Sequence, residues 1–218
     1  MSSGKGVKIY RMYLDKPLKQ FLDELASSKP TPGGGSASAL CGAMGAALAS
    51  MVARLTLGKA AYADVQPEIE KLLQETEKLR ERFQQLMQED IDAYGRLSAA
   101  FKMPRSTPEE SEARSKAIQA RLVEAALVPL EMVESASKLL HYCCRIAEIG
   151  NANVLSDVAT GSLLASSAAN GAAEMVRVNL RAMKDPELVS ALTYRLNVAL
   201  EDIAECSPQV TGIIRGRG

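Results

Sequence analysis

The sequence predicts an all-α fold, a multihelical bundle of long helices, and three observations carry that prediction. Apolar residues recur every three or four positions over stretches far longer than a strand, and no convincing apolar/polar alternation interrupts them. The vocabulary is that of helices, rich in Ala, Leu, Glu, Met and Arg, with only 4% aromatic residues and no Trp. Proline and glycine clusters divide the periodic stretches at intervals suited to a bundle.

Residues 1–13 show no pattern and read as a flexible N-terminal extension, ahead of one helical domain over 14–206. Asp15 followed by Pro17 opens a first helix with the stripe Leu18, Phe21, Leu22 and Leu25, ending near Ser27 and Ser28. A second helix, from about Ser36 to Leu57, is built almost entirely of small residues. Ala37, Cys41, Gly45, Ala49 and Ala53 stack at intervals of four, with Gly42, Ala46 and Ser50 in the neighbouring row. Such a face admits another helix, or a flat ligand, closer than the usual axis separation of about 8–10 Å.

Pro67 starts a long third helix whose stripe runs from Ile69 through Phe83, Leu86, Met87, Ile91 and Tyr94 to Leu97. The stretch "KMPRSTPEE" breaks the chain, with Thr107 as cap and Pro108 in the first turn of the next helix. That helix contains Pro129, which is expected to kink or divide it. "IGNANVLSD" is a second turn-rich loop, leading into another small-residue helix from Val158 to about Met183, with Ser156 and Asp157 as capping residues. A last helix spans about Pro186 to Cys206, leaving residues 207–218 as a loose tail.

Charge and cysteine usage narrow the function. There are 26 basic and 26 acidic residues, so no global field attracts nucleic acid. Four cysteines show no metal-ligand spacing and read as reduced thiols in a cytoplasmic protein, and the single His141 limits any triad or zinc proposal. Residues 33–53 carry no charge and are long enough for a membrane span, yet Ala, Gly and Ser make them far less hydrophobic than one.

Two features point to a small-molecule site. "PTPGGGS" places Pro32, Gly33, Gly34, Gly35 and Ser36 at a helix N-terminus, where free N–H groups can hold an anion or a carbonyl oxygen. It matches neither nucleotide-binding glycine pattern. Asp90 lies within the apolar stripe of its helix, so it either pairs with an arginine of a neighbouring helix or serves a polar pocket. Asp157, preceded by Asn151, Asn153 and Ser156, and Asn179 within "VRVNL" raise the same alternative, whereas His141 reads as structural.

In combination, "PTPGGGSASAL", "EDIDAYGRLSAAFKMP", "TPEE", "VPLE", "GNANVLSD" and "VNL" resemble the cyclodeaminase/cyclohydrolase family over nearly the whole chain, from about Leu14 to Cys206. The resemblance implies a helical homodimer that binds folate, with no metal, no separate cofactor, no nucleic acid and no membrane partner. It implies Asp90 as the working carboxylate with Asp157 as second choice. Pro32, Gly33, Gly34, Gly35, Ser36, Lys59, Tyr94, Asn151, Ser156 and Asn179 would bind substrate, Lys59 through the glutamate tail. The chain departs from the family at "GKAAY", where only Lys59 survives of several lysines, and at Met175, where an asparagine is usual. The implied reaction is methenyltetrahydrofolate cyclohydrolysis, favoured over formiminotetrahydrofolate cyclodeamination because no formiminotransferase segment accompanies the motifs. A non-catalytic helical dimer that binds folate or a partner is the reading from another class. The small-residue faces are expected to make room for the flat ligand and for close packing between subunits.

Overall fold

The computed structural model describes residues 13–217, so the extension expected over 1–13 lies, but for Tyr13, outside the described residues. Six α-helices follow one another: α1 (Leu18–Leu25), α2 (Gly34–Thr56), α3 (Gln66–Phe101), α4 (Pro108–Ile149), α5 (Leu155–Ala182) and α6 (Pro186–Arg217). Short 3-10 turns stand at Tyr13–Asp15, Ala60–Val65 and Ala152–Val154, and there is no strand among the described residues. The all-α prediction holds.

Helix α2 is the centre of the bundle, packed by α3, α4 and α5, with α6 laid across α4 and α5. By length and composition it could cross a bilayer, but Ala39, Ala46, Ala49, Val52 and Ala53 are fully buried by the other helices. The small faces of α2 and α5 meet each other. A Cβ on Gly45 would stand 2.8 Å from the carbonyl oxygen of Gly161, and one on Gly161 3.0 Å from that of Gly45. The two helices run antiparallel: Gly34 faces Met175, Ser38 faces Gly171, and the Leu55 carbonyl accepts from Asn151.

Local chemistry sets most boundaries. Thr107 and Glu110 form a reciprocal capping box at the start of α4, as the sequence predicts for Thr107. The Asp185 carboxylate accepts the Glu187 and Leu188 N–H groups at the start of α6. Three expectations need correction. Pro129 does not divide α4, which runs unbroken from Pro108 to Ile149. Helix α5 begins at Leu155, so Ser156 and Asp157 lie inside its first turn rather than capping it, and Asn151 caps the preceding 3-10 turn instead. Residues 207–217 are no loose tail, for α6 continues through Pro208 to Arg217. Val210 is buried, and the Arg217 guanidinium donates to the carbonyls of Ala147 and Gly150, satisfying the end of α4.

The close α2–α5 contact predicts opposite signs for two similar substitutions. Gly45→Ala should lower unfolding free energy by about 1–3 kcal/mol through overpacking against backbone. Gly95→Ala, in an exposed stretch of α3 where a Cβ meets nothing within 4 Å, should raise it by about 0.5–1 kcal/mol. Urea unfolding of both variants checks the pair.

Candidate functional site

The first turn of α2 has no capping side chain of its own, since Gly33 occupies the N-cap. A carboxylate from α3 supplies that function. Ser36 Oγ donates to Asp90 Oδ2 at 2.9 Å, and the Ser36 backbone N–H donates to the same carboxylate. A side chain on Gly35 would collide with this carboxylate, so the glycine admits it to the free N–H groups and positive end of α2. The arginine partner weighed for Asp90 is absent among the described residues. Arg82 instead binds Glu131 and Glu89, and Arg96 binds Glu124. Burial pushes the Asp90 carboxyl up from its ordinary value, against the lowering effect of the two hydrogen bonds from Ser36.

Asp90 opens into a cavity of about 330 Å³, within the range of small-ligand sites. Helix α3 contributes Ala93, Tyr94, Leu97 and Phe101, α4 contributes Leu122 and Ala125, and α5 contributes Met175, Val178, Asn179 and Ala182. The walls are almost wholly apolar. Asn179 is the second amide or carboxyl side chain among them, with Nδ2 donating to the Ala125 and Met175 carbonyls at 2.8 and 2.9 Å. Tyr94 stands one turn beyond Asp90, 42% exposed at the mouth.

The candidate residues therefore fall into two groups. Pro32, Gly33, Gly34, Gly35 and Ser36 surround the Asp90 end without lining the cavity, and Asp90, Tyr94 and Asn179 line it. Lys59, Asn151, Ser156 and Asp157 lie at the opposite end of α2. At 23 residues that helix is about 33 Å long. Asn151 is buried there, its backbone N–H donating to Thr56 Oγ1, its Nδ2 to the Leu55 carbonyl, and its Oδ1 accepting from Asn153. Lys59 is exposed and precedes the 3-10 turn at Ala60. The small-residue face does not form the slot; it is consumed by α2–α5 packing. The apolar lining went unnoticed in the sequence, although Ala93, Leu97 and Phe101 continue the Asp90–Tyr94 face at helical spacing.

His141 finds a partner that sequence reading missed. Its Nε2 lies 2.9 Å from Asp202 Oδ1, with Cys206 Sγ 3.4 Å from Nδ1 and 3.7 Å from Nε2. Ser137 Oγ donates to Asp202. These donor atoms all lie within 4.8 Å of one another, a grouping that could hold a metal ion. However, burial, reinforced by Asp202, pushes the Cys206 thiol up to about 11, which opposes the thiolate a metal needs. The sulfur, nearly equidistant from both ring nitrogens, sits against the ring rather than along one lone pair. The cluster joins α4 to α6.

An all-α bundle with one half-buried carboxylate and one amide in an apolar slot has the features of a small-molecule site. The formiminotransferase-cyclodeaminase family model matches residues 17–198, and the chain belongs to that family. It is 39% identical over 171 residues to a methenyltetrahydrofolate cyclohydrolase of Methylorubrum extorquens, covering 78% of this chain and 82% of the relative. It is 30% identical to the formimidoyltransferase-cyclodeaminase of Rattus norvegicus, covering 94% of this chain but 38% of that longer protein. The crystal structure of formiminotetrahydrofolate cyclodeaminase from Thermotoga maritima superposes with a TM-score of 0.85 at 32% identity, covering 93% of this chain and 98% of that one.

The raised carboxyl of Asp90 has a definite consequence for stability. A folded-state value above the unfolded one means that the native state binds the proton more tightly. The charged form therefore costs stability, fully so above the folded-state value and not at all below the unfolded one. The thermal midpoint of Asp90→Asn relative to the parent should be highest near neutral pH and fall as pH drops through the raised value. A difference that is constant with pH, or that grows toward acid, contradicts this.

Proposed function

We propose that this protein is a methenyltetrahydrofolate cyclohydrolase with Asp90 as its general base. The observation that carries the reading is a half-buried carboxylate with no cation beside it among the described residues, opening into an apolar slot sized for a flat ring system. In this reaction water adds to the electrophilic methenyl carbon between N5 and N10. The bond from that carbon to N5 then breaks, N5 takes a proton, and the formyl group stays on N10. An ionised Asp90 accepts one proton of the attacking water and can return it to N5, while the remaining hydroxyl proton passes to solvent as the formyl C=O forms. Chemistry of this kind calls on water and proton transfer alone, so no metal or further cofactor enters the proposal. The Asp90–Ser36 contact holds the base in place before substrate arrives, and the apolar walls suit the pterin and benzoyl rings.

Formiminotetrahydrofolate cyclodeamination is the second reading, favoured by the close superposition on the Thermotoga maritima enzyme. There N10 attacks the formimino carbon and ammonia leaves, through a similar tetrahedral carbon. The 39% identity to a cyclohydrolase supports the first reading. Offering both folates to the pure protein, while following methenyl absorbance and ammonia release, decides between them. A protein that binds folate but turns over neither would support the non-catalytic reading.

We further propose a homodimer built across α2. Met44, Met51 and Leu55 of α2 and Leu163 of α5 are exposed on one side of this helix pair, an apolar stripe suited to self-association. An antiparallel pairing centred midway between Met44 and Met51 sets position 36 opposite position 59 of a second copy. That arrangement would bring Lys59, with Asn151, Ser156 and Asp157 nearby, to the Asp90 end of the other chain. Lys59 could then meet the anionic glutamate tail, and Asp157 could assist proton transfer.

Two outcomes are expected. Asp90→Asn should cut turnover about 10²–10⁴-fold with folate still bound, and should abolish the acid limb of the kcat/KM profile, because the base must be ionised. Near-normal turnover would remove Asp90 from the mechanism. Met44→Asp combined with Met51→Asp should yield folded monomers by sedimentation, with turnover reduced. A stable dimer in that variant would exclude this face.

A further inference from the structure

Pro129 sits inside an unbroken α4, where a proline withholds one backbone N–H. The carbonyl left without its usual donor is that of residue 125, four positions earlier. The structure shows a replacement: Asn179 Nδ2, projecting from α5, donates to the Ala125 carbonyl at 2.8 Å. The second hydrogen of that amide goes to the Met175 carbonyl, one turn back on α5, at 2.9 Å. Both partners can only accept, so the nitrogen of the amide must lie on their side. Its Oδ1 is thereby turned to the other side. Asn179 lines the cavity with Asp90, and no buried side-chain polar atom among the described residues lacks a partner. With no donor to Oδ1 among the described residues, this oxygen is an accessible acceptor.

We infer that Pro129 is a positioning residue of the site: by removing the N–H that would serve the Ala125 carbonyl, it fixes the Asn179 amide so that its oxygen faces the ligand. This inference rests on the folate reading only for the identity of that ligand. A neutral acceptor beside the Asp90 carboxylate, in otherwise apolar walls, selects a ring edge that carries N–H donors. The amino-pyrimidine edge of a pterin is such an edge. An alanine at position 129 would return the N–H, compete for the Ala125 carbonyl and leave the Asn179 amide able to turn its NH2 toward the ligand. The site would then present a donor to a donor.

The test is a double-mutant cycle on binding of 5-formyltetrahydrofolate, a folate offered here as a probe, to the full chain by titration calorimetry. Pro129→Ala and Asn179→Ala should each weaken binding about tenfold, the worth of one hydrogen bond with its desolvation cost. The double variant should be no weaker than Asn179→Ala alone, because Pro129 acts through Asn179. Losses that multiply would overturn the inference, as a merely structural proline gives no such coupling. A second arm needs no variant and no ligand: the Asn179 side-chain NH2 protons, read by NMR in the parent, should exchange slowly with solvent. Rapid exchange overturns the fixed amide even if Pro129→Ala fails to fold. Failure of the parent to bind any folate sinks the folate reading instead, while slow exchange of that amide in the parent, lost in Pro129→Ala, still upholds the role of Pro129.

Discussion

The cavity end of this molecule depends on one close approach, that of the Asp90 carboxylate to the first turn of α2. A helix N-terminus presents free N–H groups and a partial positive charge, and it is normally closed by a side chain from its own cap position. Here the cap position is Gly33, and the group that closes the turn comes from another helix. Two problems are thereby solved together. The Ser36 N–H in the first turn is met, and a carboxylate lying on an apolar stripe receives hydrogen bonds without a neutralising cation among the described residues. An arginine in that position would have held the group ionised and stable, and left it little basicity. Hydrogen bonds from Ser36 restrain it in place while burial keeps its affinity for a proton high.

The position of that approach is set some distance away, where α2 and α5 touch backbone to backbone at Gly45 and Gly161. With no side chains between them, these helices have little freedom to slide, since interiors are close-packed and a shift of one residue would drive larger neighbours into the contact. The antiparallel register then fixes which residues share each end. At one end stand Ser36, Asp90, Met175 and Asn179; at the other, Thr56, Asn151 and the start of α5. The long helices thus act as rods that transfer a packing constraint at mid-length into the geometry of the slot.

The fold was largely legible in the sequence, because period and punctuation are local signals: the stripe of α3, Pro67, and the Thr107–Pro108 start all fall where the pattern puts them. Asp90 was legible for a different reason, as a charge where the period demands an apolar residue. What could not be read were consequences of tertiary contact. Pro129 signals a break by local rules, yet α4 continues because packing and the Asn179 amide satisfy what the proline leaves open. The run to Arg217 looks like a frayed tail, but its last arginine is tied to α4 carbonyls seventy and sixty-seven residues back. The small-residue face invited a ligand, and nothing in one chain's sequence says that its complement is the second small-residue helix. The two-ended distribution of candidate residues was equally hidden, since motifs give no distance along a helix partner.

Departures from local rules occur in several helices, Pro208 within α6 among them, but three of them meet at the cavity. Two helix starts that line no part of the cavity follow convention: a reciprocal capping box opens α4, and Asp185 caps α6. Around the cavity the conventions fail together, with glycines where α2 should have a cap, an acid on the apolar face of α3 and a proline within α4. Each failure exposes a backbone or side-chain group, and each is answered by a partner on a different helix, Asp90 for α2 and Asn179 for α4. A helix that caps itself and completes its own ladder has no need of its neighbours' polar groups, and such groups would then be free to choose among rotamers. Here the unmet backbone demands hold the Asp90 and Asn179 side chains in single orientations. The same irregularities that weaken the individual helices therefore supply the rigidity that the proposed acid/base role of Asp90 requires.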